Sequence, residues 1–172
     1  GDVDSLIKSG IDVCIMEKVQ DKGERVSSTM TRILLAKGDL DRASNILGRP
    51  YSISGKVVHG DKRGREIGFP TANIHMFHNR PPLKGVFAVK LNGIAGVANL
   101  VVRPTIAGVS KLHLEVHLFD FSADLYGKHA KVIFLQKVRD EKKFKDIEAL
   151  KDQIKIDIKK AKFFLEDYDR RK

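Results

Sequence analysis

The chain has 172 residues, of which 42% are hydrophobic and 31% charged, with a formal net charge of +10 and no Trp. No apolar run is long enough to cross a membrane, no secretory signal is visible at residues 1–10, and the single Cys14 excludes an intrachain disulfide. We therefore expect a protein of the reducing cytoplasm. The positive charge suggests nucleic acid or an anionic substrate. Much of its excess, however, sits at residues 142–172 among many acids, where a charged helix face is the commoner explanation.

Residues 1–50 differ in character from the rest of the chain. Residues 11–19 have the composition of a buried strand, and Ser27 precedes an apolar pattern typical of a helix that Gly38 ends. Residues 40–47 predict a second helix, stopped by Gly48 and Pro50. Because these elements cannot enclose a core alone, we interpret residues 1–50 as the end of a larger domain and a linker.

From Tyr51 onward the pattern is that of a β protein. The predicted strands cover residues 53–59, 85–91, 96–102, 112–119 and 130–136, with a hairpin turn at Asn92-Gly93 and an end to the third strand at Arg103-Pro104. Short strands with turns between them predict a small barrel for residues 51–172. Residues 144–165 repeat apolar side chains at steps of three and four, which predicts a helix that packs on the barrel.

Residues 55–73 combine glycines with basic side chains. Glycine lets a backbone approach an anion closely, and cations beside it attract phosphate. Without further context such a loop is more often a solvated hairpin connection, and it matches neither the Walker loop nor the dinucleotide fingerprint. The glycines of this loop are Gly60, Gly64 and Gly68, and its basic residues are Lys62, Arg63 and Arg65.

The loop ends in Pro70-Thr71-Ala72-Asn73. In an extended backbone Thr71 and Asn73, two positions apart, point to the same side. Their side-chain oxygens are suitable ligands for a hard cation such as Mg²⁺.

The strand at residues 112–119 alternates strictly, and its polar face carries Glu115 between His113 and His117. Glu115 is the best candidate for a general base, although an exposed strand carboxylate is the commoner explanation. The two histidines lack an evident third zinc ligand, so we interpret them as ordinary polar-face residues.

Residues 120–126 form a turn-rich loop after this strand. Arg139-Asp140-Glu141 follow the last strand. Asp140 or Glu141 is suited to cap the final helix, or Arg139 faces a bound ligand from the mouth of the barrel.

Five blocks carry a resemblance to a known family. In order, they are GKVVHGDKRGREIGFPTAN, PPLKGVFAV, VANLVVRPT, LEVHLFDFSADLYGK and VRDEKKF. Together they resemble the riboflavin kinases of bacteria, in particular the kinase module of bifunctional FAD synthetases, over residues 51–172.

Residues 26–51 resemble the junction between the two modules of such proteins, with Arg32 matching and Met30 where arginine is usual. The H-x-G-H-type nucleotide motif of the other module is absent, so the resemblance assigns FMN adenylylation to a longer protein.

The resemblance implies a mainly β fold, a six-stranded antiparallel Greek-key barrel with a C-terminal helix. It implies transfer of the ATP γ-phosphate to the riboflavin 5′-hydroxyl, giving FMN and ADP, with Mg²⁺ as cofactor and no nucleic-acid or membrane partner. The alternative is a basic barrel that binds nucleotides or nucleic acid without catalysis.

The resemblance to riboflavin kinases also implies the site residues. They are Glu115 as catalytic base, Thr71 and Asn73 for Mg²⁺ and phosphates, Gly60, Lys62 and Arg65 in a flap over the phosphates, Tyr126 on the adenine side, and Arg139 near the flavin.

Overall fold

The computed structural model of the protein describes residues 3–14, 19–21, 23–60, 63–76, 81–104 and 110–171. Helices and strands follow one another through this part of the chain, and the strands fall mostly after residue 51. In order they are α1 (Val3–Lys8), β1 (Gln20–Asp21), β2 (Glu24–Arg25), α2 (Ser28–Lys37), α3 (Leu40–Leu47), β3 (Ser52–Val58), α4 (Arg63–Glu66), β4 (Ala72–Met76), β5 (Gly85–Leu91), β6 (Ile94–Pro104), β7 (Ser110–Leu118), β8 (His129–Arg139) and α5 (Ile147–Arg170).

Six of the described strands close into one antiparallel barrel in the order β3-β4-β7-β6-β5-β8. This confirms the predicted mainly β, six-stranded architecture. Alternate residues of each strand fill the inside, where the largest fully buried side chains include Phe87, Phe134, Leu91 and Leu114. Closure pairs every barrel strand on both sides, so the outer face is presented by a sheet without free edges.

The helices α2 and α3 share the core of the barrel. Ser27 caps α2 by accepting a hydrogen bond from the Met30 amide, and Gly38 ends it with a φ of 82°. Leu34 and Leu35 belong to the same apolar cluster as the residues inside the barrel. The predicted helices and their caps are therefore confirmed, while the origin of residues 1–50 as the end of another domain stays a prediction.

Tyr51 lies where α3 leads into the barrel, and its ring centroid is 6.1 Å from that of Phe134. Burial raises the pKa of the Tyr51 hydroxyl, and the nearby positive charge of Arg49 opposes this in part. The hydroxyl is therefore neutral across the physiological pH range, as suits a residue packed against the core.

The strand predicted at residues 11–19 is wrong for its described part. Residues 11–14 form no strand, residues 15–18 lie outside the described residues, and Val19 only precedes the two-residue strand β1. Ile11 and Val19 are 53% and 68% exposed, so neither is part of a buried sheet. The sequence also did not indicate α1, whose side chains are exposed.

Strand pairing extends β6 and β8 beyond their predicted ends, and α5 begins later than the predicted helix. β6 continues through Pro104, which pairs with Ser110 at the end of the ladder, a position where proline is tolerated. β8 runs to Arg139, which therefore lies within a strand. Asp146 caps α5 by accepting from the Ala149 amide, so neither Asp140 nor Glu141 has the capping role predicted for it.

The final helix α5 packs on the outside of the barrel against β5, β6 and β8. Ala161 and Leu165 of α5 are buried with Val86, Val97 and Leu135 of these strands, which confirms the predicted amphipathic helix. Among the described residues, no helix is long and apolar enough to cross a membrane.

Substituting Leu35 should destabilise the barrel although this residue precedes it in the chain. Leu35 is 3% exposed, so Leu35→Ala should lower the free energy of unfolding by about 2–5 kcal/mol through lost burial and a cavity. Ile33→Ala is the matched control, because Ile33 lies on the same helix and is 50% exposed. Urea unfolding of the three proteins measures the effect, and equal values for the two variants would contradict the role of α2 in the core.

Candidate active site

One row of residues runs around the outside of the barrel at the level of Glu115. The antiparallel register pairs Asn73 of β4 with Glu115 of β7 and Glu115 with Asn99 of β6. It then pairs Asn99 with Val86 of β5, and Val86 with Arg139 of β8. Residues that pair directly in antiparallel strands project to the same face of the sheet. The row therefore joins the predicted base, one predicted metal ligand and the predicted flavin residue.

The geometry of the sheet sets the spacing along this row. Directly opposed residues have their Cβ atoms about 4.5–5.5 Å apart, so Asn73 and Asn99 flank Glu115 at that distance. Arg139 lies three strands from Glu115, or about 14 Å at a spacing of about 4.8 Å between neighbouring strands. Leu114 and Val116 point into the barrel and are buried, which fixes Glu115 on the outside.

The glycine-rich connection between β3 and β4 lies directly over the two predicted metal ligands. A Cβ atom at Gly60 would overlap the side-chain amide of Asn73. A Cβ atom at Gly64 would overlap the carbonyl oxygen of Phe69 and lie 3.3 Å from Thr71 Oγ1. These two glycines are therefore needed for the close approach of this connection to the Thr71 and Asn73 side chains.

A cavity of about 710 Å³ opens beside this segment. Its polar lining includes Arg65, Thr71, His117, Asp124 and Tyr126, and its volume falls within the range of small-molecule sites. It brings together three of the residues predicted to bind ATP, namely Arg65, Thr71 and Tyr126.

The aromatic ring of Tyr126 stacks on that of His59, with ring centroids 3.8 Å apart. This pair joins the start of the glycine-rich connection to the loop after β7, the two segments predicted to meet the nucleotide. Of the other predicted phosphate-binding residues, Gly60 lies against Asn73, whereas Lys62 lies outside the described residues.

Arg139 is held by α5. Its Nε donates to both carboxylate oxygens of Asp157 at 3.0 and 2.9 Å, and its Nη2 lies 2.9 Å from Oδ2. Nη1 donates to the Asp140 carbonyl oxygen at 2.9 Å, and the Phe144 ring lies 5.6 Å from the guanidinium carbon. Asp157 is 3% exposed and also accepts from Gln153 at 3.0 Å. The guanidinium group is therefore fixed at one end of the row, and its contact with a flavin stays a prediction.

Two residues at the site were not identified from the sequence. Asn99 enters the row through the pairing of β6 with β7; it lies in the block VANLVVRPT, but no role was predicted for it. His117, interpreted as an ordinary polar-face residue, has its Nδ1 atom 2.8 Å from the Pro70 carbonyl oxygen, a partner 47 positions away. No group of three or more His, Cys, Asp or Glu is arranged to hold a metal in the part of the chain that the structure describes.

Comparison with known proteins identifies the family. A family model described as flavokinase, riboflavin kinase, matches residues 47–165, which is more than half of the chain. The chain belongs to the riboflavin kinase family. The resemblance found in the five sequence blocks is thereby confirmed.

Curated relatives carry the name bifunctional riboflavin kinase/FMN adenylyltransferase. The protein from Pseudomonas fluorescens is 45% identical over 170 residues, which cover 94% of this chain and 55% of the relative. The protein from Haemophilus influenzae is 51% identical over 146 residues, which cover 82% of this chain and 47% of the relative. The chain thus spans about half the length of the curated relatives that it matches.

Two solved structures agree with the fold. The riboflavin kinase of Trypanosoma brucei superposes with a TM-score of 0.51 at 26% identity, over 68% of this chain and 80% of that one. A Streptococcus pneumoniae crystal structure described as a macrolide-efflux protein has a TM-score of 0.74 at 34% identity, over 88% of this chain and 52% of that one. The second likeness extends over a larger share of this chain than the first.

Removing Asp157 should destabilise the riboflavin kinase fold strongly. Asp157→Ala leaves the largely buried Arg139 guanidinium without its carboxylate, so the free energy of unfolding should fall by about 3–5 kcal/mol. Asp152→Ala is the matched control on α5, because Asp152 pairs with Lys155 in an exposed position and should change stability by less than about 1 kcal/mol. Urea unfolding measures both, and a small effect of Asp157→Ala would contradict a buried ion pair.

Proposed function

We propose that this chain is a riboflavin kinase that transfers the γ-phosphoryl group of ATP to the 5′-hydroxyl of riboflavin, giving FMN and ADP. The observation that carries the proposal is the direct pairing of Asn73 with Glu115, beside a cavity that Thr71 lines. Membership of the riboflavin kinase family supports the same reaction.

Thr71 and Asn73 are suited to bind Mg²⁺ together with the ATP phosphates. Both are half-buried, and both contribute neutral oxygens of the kind that Mg²⁺ accepts when substrate phosphates and water complete its shell. Gly60 and Gly64 allow the backbone to close over the same two side chains. When bound, Mg²⁺ neutralises phosphate charge and orients the γ-phosphoryl group.

Glu115 acts in this proposal as the general base. Its carboxylate takes the proton of the riboflavin 5′-hydroxyl while that oxygen bonds to the γ-phosphorus, and the bond from this phosphorus to the bridging oxygen breaks to release ADP. Since Asn73 and Glu115 are cross-strand neighbours, the base stands about 5 Å from the residue that holds the phosphates. Such a distance lets one hydroxyl reach both groups.

The remaining assignments place the two substrates on either side of Glu115. The cavity lined by Arg65 and Tyr126 receives the nucleotide, with the Tyr126 and His59 rings on the adenine side. Lys62 and Arg65 contribute positive charge near the phosphates. Arg139, at the far end of the row, contacts the flavin. The row thereby sets an ATP side and a flavin side, with the transferred group between them.

The alternative, a basic barrel that only binds nucleotides or nucleic acid, is less well supported. Binding alone does not require a carboxylate next to two oxygen ligands. Much of the positive charge on α5 is also compensated locally, by the pairs Lys151–Glu148 and Lys155–Asp152. A strongly cationic α5 surface for nucleic acid is therefore poorly supported.

FMN adenylylation belongs in this proposal to the longer protein, because the chain spans about half the length of the bifunctional relatives. We also place the protein in the reducing cytoplasm, on the ground of its single cysteine, Cys14, which is exposed and free.

The reaction is tested by incubating the chain with riboflavin, ATP and Mg²⁺ and separating flavins chromatographically. FMN and ADP should form in equal amounts, and chelating Mg²⁺ should stop the reaction. FMN with ATP should give no FAD. Binding of ATP without formation of FMN would instead favour the non-catalytic barrel.

Glu115→Gln should lower kcat by about 10²-fold or more, since a positioned general base contributes about 10²–10⁴ in rate. The KM values for riboflavin and ATP should stay within a few-fold, because the amide keeps the shape of the carboxylate. Glu148→Gln, on the exposed start of α5, is the control for a lost negative charge. Turnover of Glu115→Gln within a few-fold of the parent would remove Glu115 from the role of base.

A further inference from the structure

We infer that His117 is a positioning residue that holds the Pro70-Thr71 peptide in the place where Thr71 meets the metal and phosphates. The inference rests on the proposed function. The contact that supports the inference joins His117 Nδ1 and the Pro70 carbonyl oxygen, which are 2.8 Å apart. A carbonyl oxygen only accepts, so Nδ1 carries the proton and donates it.

The hydrogen bond lies where the strand ladder stops. Within the described residues, the ladder between β4 and β7 consists of Ala72 with Val116, Asn73 with Glu115, and Ile74 with Leu114. Continued by one pair, this register would set Thr71 opposite His117. Backbone pairing ends before that point, and the imidazole supplies the next link between the two strands.

The peptide that this bond holds is the one that leads into Thr71. The carbonyl group of Pro70 and the amide nitrogen of Thr71 belong to one planar peptide unit. A hydrogen bond that fixes the Pro70 oxygen therefore also fixes the orientation of the bond that leads to the Thr71 Cα atom. The ring of Phe69 meets the His117 ring edge to face at a centroid distance of 5.9 Å, which restrains the imidazole from the same segment. Thr71 and His117 both line the 710 Å³ cavity.

The strand β7 therefore carries both the proposed base, Glu115, and the residue that holds the Pro70-Thr71 peptide, His117. His117 and Glu115 lie two positions apart on the outer face of β7, which separates them by about 7 Å along the strand. Any shift of β7 moves the carboxylate and the Thr71 segment together. His117 thus keeps the distance between the base and the phosphate site constant, and it acts through Thr71 without touching the reacting atoms.

Three substitutions distinguish the effect of losing the Nδ1 hydrogen bond from the effect of losing the imidazole ring. His117→Asn retains a side-chain NH₂ near the position of Nδ1, His117→Gln moves the NH₂ to the region of Nε2, and His117→Leu removes the donor. His113→Gln is the matched control, because His113 lies on the same face of β7 on the other side of Glu115. Urea unfolding of each variant reports whether the fold is kept.

The readouts are the two KM values and the affinity for Mg·ADP by calorimetry. His117→Leu and His117→Gln should each raise KM for Mg·ATP and weaken Mg·ADP binding. Both changes should be about tenfold, the loss in affinity expected when one ordinary hydrogen bond is removed. His117→Asn should recover most of this loss, and KM for riboflavin should stay within about twofold in all variants. Equal behaviour of the Asn and Gln variants, or equal changes in both KM values, would overturn the inference.

A double-mutant cycle tests whether His117 acts through Thr71. In a Thr71→Ala background, His117→Leu should weaken Mg·ADP binding by less than about twofold, because the group that it positions is already gone. Independent, multiplicative effects would overturn the positioning role while leaving the kinase activity intact. If the parent chain forms no FMN and binds no Mg·ADP, the proposed function itself fails, and with it the inference.

Discussion

The register of β7 between β4 and β6 is the constraint on which the rest of the site depends. Backbone hydrogen bonds on both sides of this strand fix Glu115 opposite Asn73 and Asn99, without a long side chain or a loop to set the distance. Because β7 is paired on both sides, it cannot slide without breaking its ladders with both β4 and β6. The sheet thus fixes the relative positions of these three side chains in advance, as the proposed phosphoryl transfer requires.

The helices complete this framework in two different ways. α2 adds Leu34 and Leu35 to the barrel core, so a segment before the first barrel strand contributes to the stability of the barrel. α5 packs on the outside of the barrel against β5, β6 and β8, and it fixes one end of the row through the ion pair of Arg139 with Asp157. A buried pair of this kind adds little net stability compared with apolar side chains, but its loss is costly, which makes it suited to specify where the helix docks.

Local rules predicted most of the fold and little of the site's geometry. The strict alternation of β7, the turn at Asn92-Gly93 and the caps at Ser27 and Gly38 depend on near neighbours in sequence, and these predictions are confirmed. β4 was not identified, because five residues after a proline carry too short a pattern. The contacts of Arg139 with Asp157 and of His117 with Pro70 join residues 18 and 47 positions apart, which no periodicity reveals. The roles of Glu115, Thr71 and Asn73 came from family resemblance and stay predictions, although the register now brings two of them side by side.

The alternation of β7 gives the strand two sets of residues with separate duties. Leu114 and Val116 fill the barrel, while Glu115 and His117 lie on its outer face, where the proposed function requires them. A substitution in one set leaves the orientation of the other unchanged. An insertion or deletion of a single residue, by contrast, would rotate every following side chain to the opposite face, placing leucines on the outer face and a carboxylate in the core. Evolution can therefore vary the composition of this strand but not its length, whereas the connections at its two ends are open to change in both.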